Sequence, residues 1–201
     1  MRTLFLLVAA IAVWLTSFVN RRQNAFLRGR IEVLQPLAHE LLINDPRKIA
    51  VVKLEEYWYD DNSWDIHLPP GAYRLCLATR EIDSGLASAR ARAPLPAGRH
   101  RIALDQQRDK GMDNWRVTVT LDGTKVLDVI EPKDWDPGRG SSGGGQYAIS
   151  QQFAADQPLV LFRRRFDRPV GQGPGQSATP QGPCEGILLW IEPTRDPNSG
   201  P

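Results

Sequence analysis

The residues with the most obvious capacity for chemistry lie in DWDPGRGSSGGGQY, residues 134 to 147, where five glycines accompany two serines. Gly138, Gly140 and Gly143 fit the GxGxxG pattern of dinucleotide-binding loops. Such a loop must follow a strand and open a helix, because backbone N–H groups and the helix dipole have to face the phosphate. Here PKDWDP separates the stretch from the preceding strand pattern, and the alternating QYAISQQF follows it. We therefore expect no nucleotide site.

The same stretch contains GSSGG, which fits the GxSxG nucleophile pattern with Ser142 in the reactive position. The strand-turn-helix context of that pattern is missing. The hydrolase order also places a histidine after the serine, whereas the last histidine of the chain is His100. We therefore predict a flexible glycine-serine loop at one end of the fold, with Arg139, Ser141 and Ser142 as candidate binding residues.

A second candidate is YWYDDNSWD, which mixes aromatic rings with carboxylates. Trp58 and Trp64 would stack against a sugar ring, while Asp60, Asp61 and Asp65 would bond its hydroxyls. The stretch lacks the oxygen spacing and the glycine of a calcium loop. The alternative is a polar hairpin turn between aromatic-rich strands.

Metal ligands and cofactor motifs are not apparent. His39, His67 and His100 stand at unrelated spacings, and the two cysteines share no metal-ligand spacing. We therefore predict no metal and no cofactor. Cys76 and Cys184 would either form a disulfide, if the chain is exported, or be small buried hydrophobes.

The charge balance gives no indication of a highly charged partner such as a nucleic acid. The 201 residues include 25 basic and 23 acidic side chains, a net charge of +2, so we expect no nucleic-acid partner. Arg163 to Arg165 lie inside the strand pattern PLVLFRRRF, and we interpret them as the basic outward face of a solvated edge strand. Anionic lipid headgroups are an alternative contact for them.

The N-terminus predicts a membrane anchor over residues 1–20. No charged residue occurs between Thr3 and Val19, and arginines follow. These residues would reach about 25 Å as a helix, close to the roughly 30 Å hydrocarbon core. The alternatives are a signal peptide cleaved near Ala10 to Ala12, or a buried helix. We expect a single-pass cell-membrane protein that contacts the bilayer through residues 3–19.

The side of the membrane stays open. Arg21, Arg22, Arg28 and Arg30 outnumber Arg2, so the positive-inside rule favours a cytoplasmic domain. Single N-terminal anchors with a minimal tail commonly export the rest of the chain, which favours the opposite side.

Residues 21–44 have the pattern of a juxtamembrane amphipathic helix. Leu27, Ile31, Leu34, Ala38 and Leu41 alternate in spacings of four and three. The AspPro pair at 45 and 46 would end the helix.

From Ile49 onward the hydrophobic period changes to two. In WRVTVTLDG, apolar residues at odd positions 115 to 121 would face the core. The following AspGly predicts a hairpin, but a strict two-residue loop pairs Asp128 with Val117. The burial pattern pairs Val119 with Leu127 instead, and we favour the burial pattern.

Two similar stretches, LPPGAYRLCL and LPAGRHRIAL, each predict a turn feeding a strand. With the remaining alternating segments they give about nine strands joined mostly by short turns. We predict an antiparallel β-sandwich, jelly-roll or immunoglobulin-like, over residues 45–193, and a disordered tail over 194–201.

The phrases LPAGRHRIAL and WRVTVTLDG resemble those of many immunoglobulin-like and lectin-like modules. The N-terminal MRTLFLLVAAIAVWLTSFVNRRQ resembles the anchors of uncharacterised single-pass membrane proteins of planctomycete-type bacteria. That resemblance implies no activity and no functional residues. We expect a non-catalytic, membrane-tethered module that binds a protein or glycan. The alternatives are a hydrolase using Ser142 or loop carboxylates, and a pilin-like structural subunit.

Overall fold

The computed structural model describes residues 40–54, 62–109, 113–135, 141–145, 147–166, 168–169, 177–178 and 182–194. The chain divides into two compact units, Met1–Glu40 and Leu41–Pro201, and every described strand belongs to the second. The predicted anchor over 1–20 and nearly all of the predicted helix over 21–44 lie outside the described residues. Within the described ranges, no helix has the length and apolar character needed to cross a membrane.

The first sheet is antiparallel and contains six strands. Its strands are β1 (Ile49–Leu54), β2 (Asn62–Leu68), β5 (Gly98–Asp109), β6 (Asn114–Leu121), β7 (Thr124–Glu131) and β9 (Gln151–Phe153). Their order across the sheet is β7-β6-β5-β2-β1-β9. This sheet therefore has β7 at one edge and β9 at the other.

The second sheet is also antiparallel and contains five strands. Its strands are β3 (Tyr73–Ala78), β4 (Ala91–Leu95), β8 (Ser141–Gly145), β10 (Leu159–Phe166) and β13 (Gly186–Pro193). Their order is β4-β3-β13-β10-β8, so β4 and β8 are its edges. A separate two-stranded piece pairs β11 (Arg168–Pro169) with β12 (Ser177–Ala178).

One apolar core receives side chains from both sheets. Ile66 of β2 and Ile102 of β5 in the first sheet share a buried cluster with Leu75 of β3 and Leu189 of β13 in the second. All four side chains are completely shielded from solvent. The alternation predicted for residues 115 to 121 is confirmed, since Val117 and Val119 are fully buried and their flanking odd-numbered neighbours pack on the same cluster. The mostly β fold with antiparallel pairing is therefore as predicted.

The two similar sequence stretches are the corners where the chain changes sheets. The first joins β2 to β3, and the second joins β4 to β5, so one leaves the first sheet and the other returns to it. Gly98 has φ of +124°, which a residue with a side chain rarely adopts. Two residues later, His100 places its ring over this glycine, where an added Cβ would lie 3.6 Å from Nε2. Tyr73 covers Gly71 in the same way at the first corner.

The β6–β7 hairpin satisfies both the turn chemistry and the burial pattern. Asp122 and Gly123 form a two-residue loop with φ of 51° and 79°, as a type I′ turn requires. Leu121 accordingly pairs with Thr124. The register then shifts after Thr120, so that Val119 pairs with Leu127 as predicted. A bulge at residue 126 therefore resolves the conflict between turn and burial.

The prediction of a juxtamembrane helix over residues 21–44 is wrong at the end that the structure describes, because residues 40–44 are not helical. The backbone N–H of Leu42 donates to Ser150 Oγ over 2.9 Å, and those of Asn44 and Asp45 donate to Gln152 Oε1. Gln152 Nε2 donates back to the Asp45 carbonyl. These side chains replace the i−4 carbonyl partners of a helix. The predicted strand QYAISQQF is likewise shortened, since β9 begins at Gln151.

The two cysteines are free and buried, so the alternative of small buried hydrophobes is confirmed for both. Cys76 belongs to a second apolar cluster with Ala78, Ile82, Leu188 and Trp190, and it is completely shielded from solvent. Burial is the main reason that the pKa of the Cys76 thiol rises to about 12. The Cys184 thiol donates to the Ile82 carbonyl oxygen over 3.5 Å.

Candidate functional site: the free edge of the second sheet

The glycine-serine stretch predicted to be a loop contains an edge strand. Residues 141–145, SSGGG, form β8, which pairs with β10 along five consecutive residues from Phe162↔Gly145 to Phe166↔Ser141. Glycine has low strand propensity, so the pairing is imposed by the partner strand rather than by this stretch. The loop prediction is therefore wrong for residues 141–145, while residues 136–140 lie outside the described part of the chain.

The outer edges of the other sheet strands are protected by devices that proteins use against unwanted strand pairing. Edge strand β4 contains Pro94, which has no N–H to offer, and an exposed Arg92. Edge strand β7 carries the bulge at residue 126 and the charged pair Lys125 and Asp128, whose Nζ and Oδ2 lie 2.8 Å apart. Both features obstruct the approach of another strand.

A buried carboxylate also ties the end of β7 to the residues that follow β3 and precede β4. Glu131 of β7 is 1% exposed, and its Oε1 accepts a hydrogen bond from Thr79 Oγ1 at 2.5 Å. Its Oε2 accepts from both Nε and Nη2 of Arg80, and Arg90 Nη1 binds Oε1. The Glu131 carboxylate raises the pKa of Arg80 through hydrogen bonding and charge. Trp135 donates from Nε1 to the Thr79 carbonyl and is fully buried.

Edge strand β9 is short and covered. It has only three residues, and the segment 41–45 is held against it by the hydrogen bonds of Ser150 and Gln152. Leu41 packs on Ala50 of the adjacent β1. A short, covered edge does not accept another strand.

β8 differs from these three edges. In the part of the chain that the structure describes, β8 has a paired strand on one side only, and its five residues include no proline and no charged residue. Its register with β10 is regular, without a bulge. Glycine within a strand commonly marks a place where another backbone approaches closely. β8 is therefore the candidate functional site.

Three consecutive arginines lie on the strand next to this edge. Arg163, Arg164 and Arg165 of β10 pair with Gly144, Gly143 and Ser142 of β8. The prediction that these arginines belong to a solvated edge strand is wrong, because β10 lies between β13 and β8. Their apolar neighbours Leu159, Leu161 and Phe162 are buried as expected.

The arginines are distributed over both faces of the sheet. Arg163 Nη2 donates to the Gly85 carbonyl over 2.9 Å, and its buried Nε has no acceptor among the described residues. Arg165 Nη2 donates to the Gly182 carbonyl and lies 3.9 Å from Asp83. Arg164 shares its face with Phe166, and its guanidinium carbon lies 6.0 Å from that ring centroid. Arg163 and Arg165 are therefore bonded to the segments that contain Gly85 and Gly182.

Three of the five residues predicted to bind a sugar lie outside the described residues, and the other two do not form such a site. Trp58, Asp60 and Asp61 lie outside the described residues. Trp64 is fully buried and meets Phe162 of the second sheet edge-on with ring centroids 6.3 Å apart. It therefore joins the two sheets and is not a stacking platform at the surface.

Asp65 is on the opposite face of the same strand and is occupied by ion pairs. Its Oδ2 lies 3.1 Å from Arg99 Nη2, and its Oδ1 lies 3.1 Å from Arg101 Nε. The Asp65 side chain is only 13% exposed. Among the predicted sugar-binding residues that the structure describes, Trp64 and Asp65 thus point to opposite faces of β2 and form no common site.

Two of the three residues predicted as binding candidates in the glycine-serine loop lie in β8. Ser141 and Ser142 are its first two residues, and Arg139 lies outside the described residues. Ser142 is in the second sheet, whereas His100 is in the first, where its Nδ1 lies 2.7 Å from Asp122 Oδ2. Hydrogen bonds from His100 and from the Arg101 N–H lower the pKa of Asp122. The histidine-carboxylate pair is therefore built into the β6–β7 turn, on another sheet from Ser142.

The sequence did not predict that residues 141–145 form a strand, because their pairing with β10, and not their own residue types, makes them one. It identified the glycines and the three arginines separately, yet only the antiparallel register places them opposite one another. Among the described residues, no group of three or more histidine, cysteine or acidic side chains is arranged to hold a metal ion. No protein-family model matches the chain, and no curated protein and no solved structure matches it either.

Proposed function

We propose that the chain is a membrane-tethered binding module. Residues 3–19 hold it in the cell membrane, and a β-sandwich of jelly-roll or immunoglobulin-like type binds a protein or glycan partner without catalysing a reaction. The observation that carries the proposal is the edge strand β8, which lacks the protective features of the other sheet edges in the described part of the chain. An unpaired backbone edge of a sheet is a recurrent means of binding another chain.

The tether is tested by extraction of membranes with alkaline carbonate. We expect the full-length chain to stay in the membrane pellet, because an uncharged segment of seventeen residues favours insertion. The double variant Leu7→Lys, Val13→Lys places charges within that segment and should move to the supernatant. A wild-type chain found in the supernatant, or shortened by cleavage near Ala12, would contradict the tether.

The side of the membrane is tested by a phosphatase reporter fused after Pro201, which is active only outside the cytoplasm. Activity of the fusion would place the sandwich outside and exclude the literal charge count. Its absence, with a correctly sized fusion in the membrane fraction, would place the sandwich in the cytoplasm. Either result leaves the binding function in place and identifies the compartment of the partner.

The non-catalytic part of the proposal is tested with a fluorophosphonate probe that labels activated serines. We expect no labelling of the full-length chain, because activation of a serine requires a base within hydrogen-bond reach. Labelling that disappears in Ser142→Ala would instead support the hydrolase alternative.

A further inference from the structure

We propose that residues 42–48 and 148–150 form a surface, the entry patch, that rests in the headgroup region of the lipid bilayer. This inference rests on the membrane tether proposed above, and it specifies which surface of the sandwich contacts lipid. Three features of the described residues support it: two exposed isoleucines, two exposed basic side chains, and the place of this surface where the described chain begins.

The two segments of the entry patch are joined by hydrogen bonds. The Leu42 N–H donates to Ser150 Oγ over 2.9 Å, and the Ser150 hydroxyl donates to the Leu42 carbonyl over 3.4 Å. Ile43 follows Leu42 and Ile149 precedes Ser150, so each isoleucine is one residue away from this contact. Both isoleucines therefore lie on the same part of the surface.

The isoleucines are the apolar part of the entry patch. Ile43 is 41% exposed and Ile149 is 49% exposed. In the described part of the chain, the other large apolar side chains that are exposed are Leu86 and Ile130. Leu86 lies in the connection between β3 and β4, and Ile130 is on β7, at the opposite edge of the first sheet from β9. A single exposed apolar residue needs no explanation, whereas a pair on one small area indicates a contact surface.

Two basic side chains follow Ile43 along the same segment. The Arg47 side chain is 89% exposed, and Lys48 is exposed beside it. Asp45 offsets one of these charges, because its Oδ1 lies 3.3 Å from Arg47 Nε. The exposed Glu40, which precedes the patch in the chain, offsets the other in net charge. The isoleucines therefore provide most of the expected affinity, and the long basic side chains would reach lipid phosphates from the rim of the patch.

The entry patch follows closely on the first described residue after the proposed anchor. Residues 21–40 separate the anchor from Leu41, and a segment of this length reaches at most roughly 70 Å. A tether of this kind holds the module near the bilayer at an effective concentration on the order of millimolar. A contact too weak to recruit a free protein is therefore sufficient to orient the tethered one, which favours lipid as the partner of the patch.

Fluorescent labels on introduced cysteines test the inference on full-length protein in nanodiscs of phosphatidylcholine and phosphatidylglycerol. Ile43→Cys and Ile149→Cys report on the patch, and Leu86→Cys and Ile130→Cys are the matched exposed controls. Both native cysteines are buried, so an environment-sensitive maleimide dye labels the introduced thiol in each variant. We expect a lipid with a nitroxide near its headgroup to quench the dyes at 43 and 149 by about half or more, and to leave those at 86 and 130 nearly unchanged.

Two results of the quenching experiment overturn the inference. Equal quenching at all four positions, or none at 43 and 149, would show that the entry patch is not the surface that faces lipid. Dyes at 43 and 149 whose emission is that of an apolar environment, but which the lipid quencher does not reach, would show that protein covers the patch, for example a second copy of the chain. Circular dichroism confirms that each labelled variant is folded.

A charge reversal tests the basic rim of the patch. Lys48→Glu is combined with the dye at 149, and Lys133→Glu is the matched control, because Lys133 is also exposed but follows β7, at the far edge of the first sheet. We expect Lys48→Glu to lower the equilibrium constant of the lipid contact by about fivefold or more, which appears as weaker quenching, and Lys133→Glu to change it little. Equal effects of the two substitutions would overturn the assignment of the headgroup contact to the entry patch.

The inference and the proposed function fail in different ways. If carbonate extraction confirms the tether and the dyes at 43 and 149 are not quenched, the lipid contact is refuted and the tethered module stands. If carbonate removes the wild-type chain from membranes, yet the dyes at 43 and 149 are quenched when the protein is mixed with vesicles of the same lipids, the lipid contact stands and the tether is refuted.

Discussion

Replacement of Glu131 by alanine removes the acceptor that joins the end of β7 to Thr79, Arg80 and Arg90. Glu131 lies at the end of β7, its side chain is 0% exposed, and both of its carboxylate oxygens are used. The Arg80 and Arg90 side chains that bind it are 48% and 42% exposed. The substitution therefore leaves a buried hydroxyl on Thr79 without its acceptor, while water can reach the two arginines.

The expected loss of stability follows from these exposures. Removing one partner of a fully buried ion pair costs about 3–5 kcal/mol. The half-exposed arginines recover part of that cost by hydration, whereas the unsatisfied Thr79 hydroxyl adds about 1–3 kcal/mol. We expect Glu131→Ala to lower the free energy of unfolding by about 3 kcal/mol, near the lower end of the range for buried pairs. For a chain of this size the corresponding drop in Tm is about 6–12 °C.

Urea unfolding, followed by tryptophan fluorescence, measures this loss, and Asp128→Ala is the matched control. Asp128 lies on the same strand and binds Lys125 and Arg116, but its side chain and those of its partners are solvent-accessible. Exposed ion pairs contribute only about 0–1 kcal/mol. A loss of stability in Glu131→Ala no larger than that in Asp128→Ala would show that the buried Glu131 carboxylate does not stabilise the fold.

Three further predictions concern the thiols, one corner and the hairpin turn. Neither Cys76 nor Cys184 should react with a disulfide-exchange reagent at pH 8 in the folded protein, and both should react in guanidinium chloride; a lack of reaction in denaturant would indicate a disulfide. Gly98→Ala should destabilise the protein by about 1–3 kcal/mol because of its positive φ, whereas Gly85→Ala, with nothing within 4 Å of the added Cβ, should change stability little in the same urea titration. Asp122 has a folded-state pKa below its ordinary value of 3.8, so its stabilising effect should be complete at pH 6 and disappear as the pH falls through the folded pKa. The urea midpoints of wild type and Asp122→Asn should therefore differ at pH 6 and approach each other only as the pH falls below 3.8, and a constant difference would contradict this assignment.

The parts of the fold that sequence predicted well are those controlled by local pattern. The alternation of apolar and polar residues predicted that Val117 and Val119 lie in the core, and it also predicted the Val119↔Leu127 pairing. The two proline-glycine corners were predicted as turns feeding strands because glycine and proline restrict the backbone locally. Periodicity could not indicate that both the turn and the burial register are satisfied, because the bulge at residue 126 is a compromise between them.

The parts that sequence missed depend on contacts between distant segments. Trp135 lies between Asp134 and Asp136, yet it is fully buried, and its ring centroid lies 4.8 Å from that of Phe166. Trp64 has a polar neighbour on either side and was interpreted as a surface residue, although its strand phase directs it into the core. β8 has neither strand propensity nor alternation, and only its pairing with β10 makes it an edge.

The central claim is that β8 is a paired strand with a free outer edge, and amide hydrogen exchange in residues 141–145 of the full-length protein tests it most directly. We predict alternation along the strand: amides directed to β10 are protected, and those between them exchange rapidly. Uniform protection would show that another segment of the chain covers this edge. Uniformly rapid exchange would show that β8 is not a strand, and either result would contradict the claim.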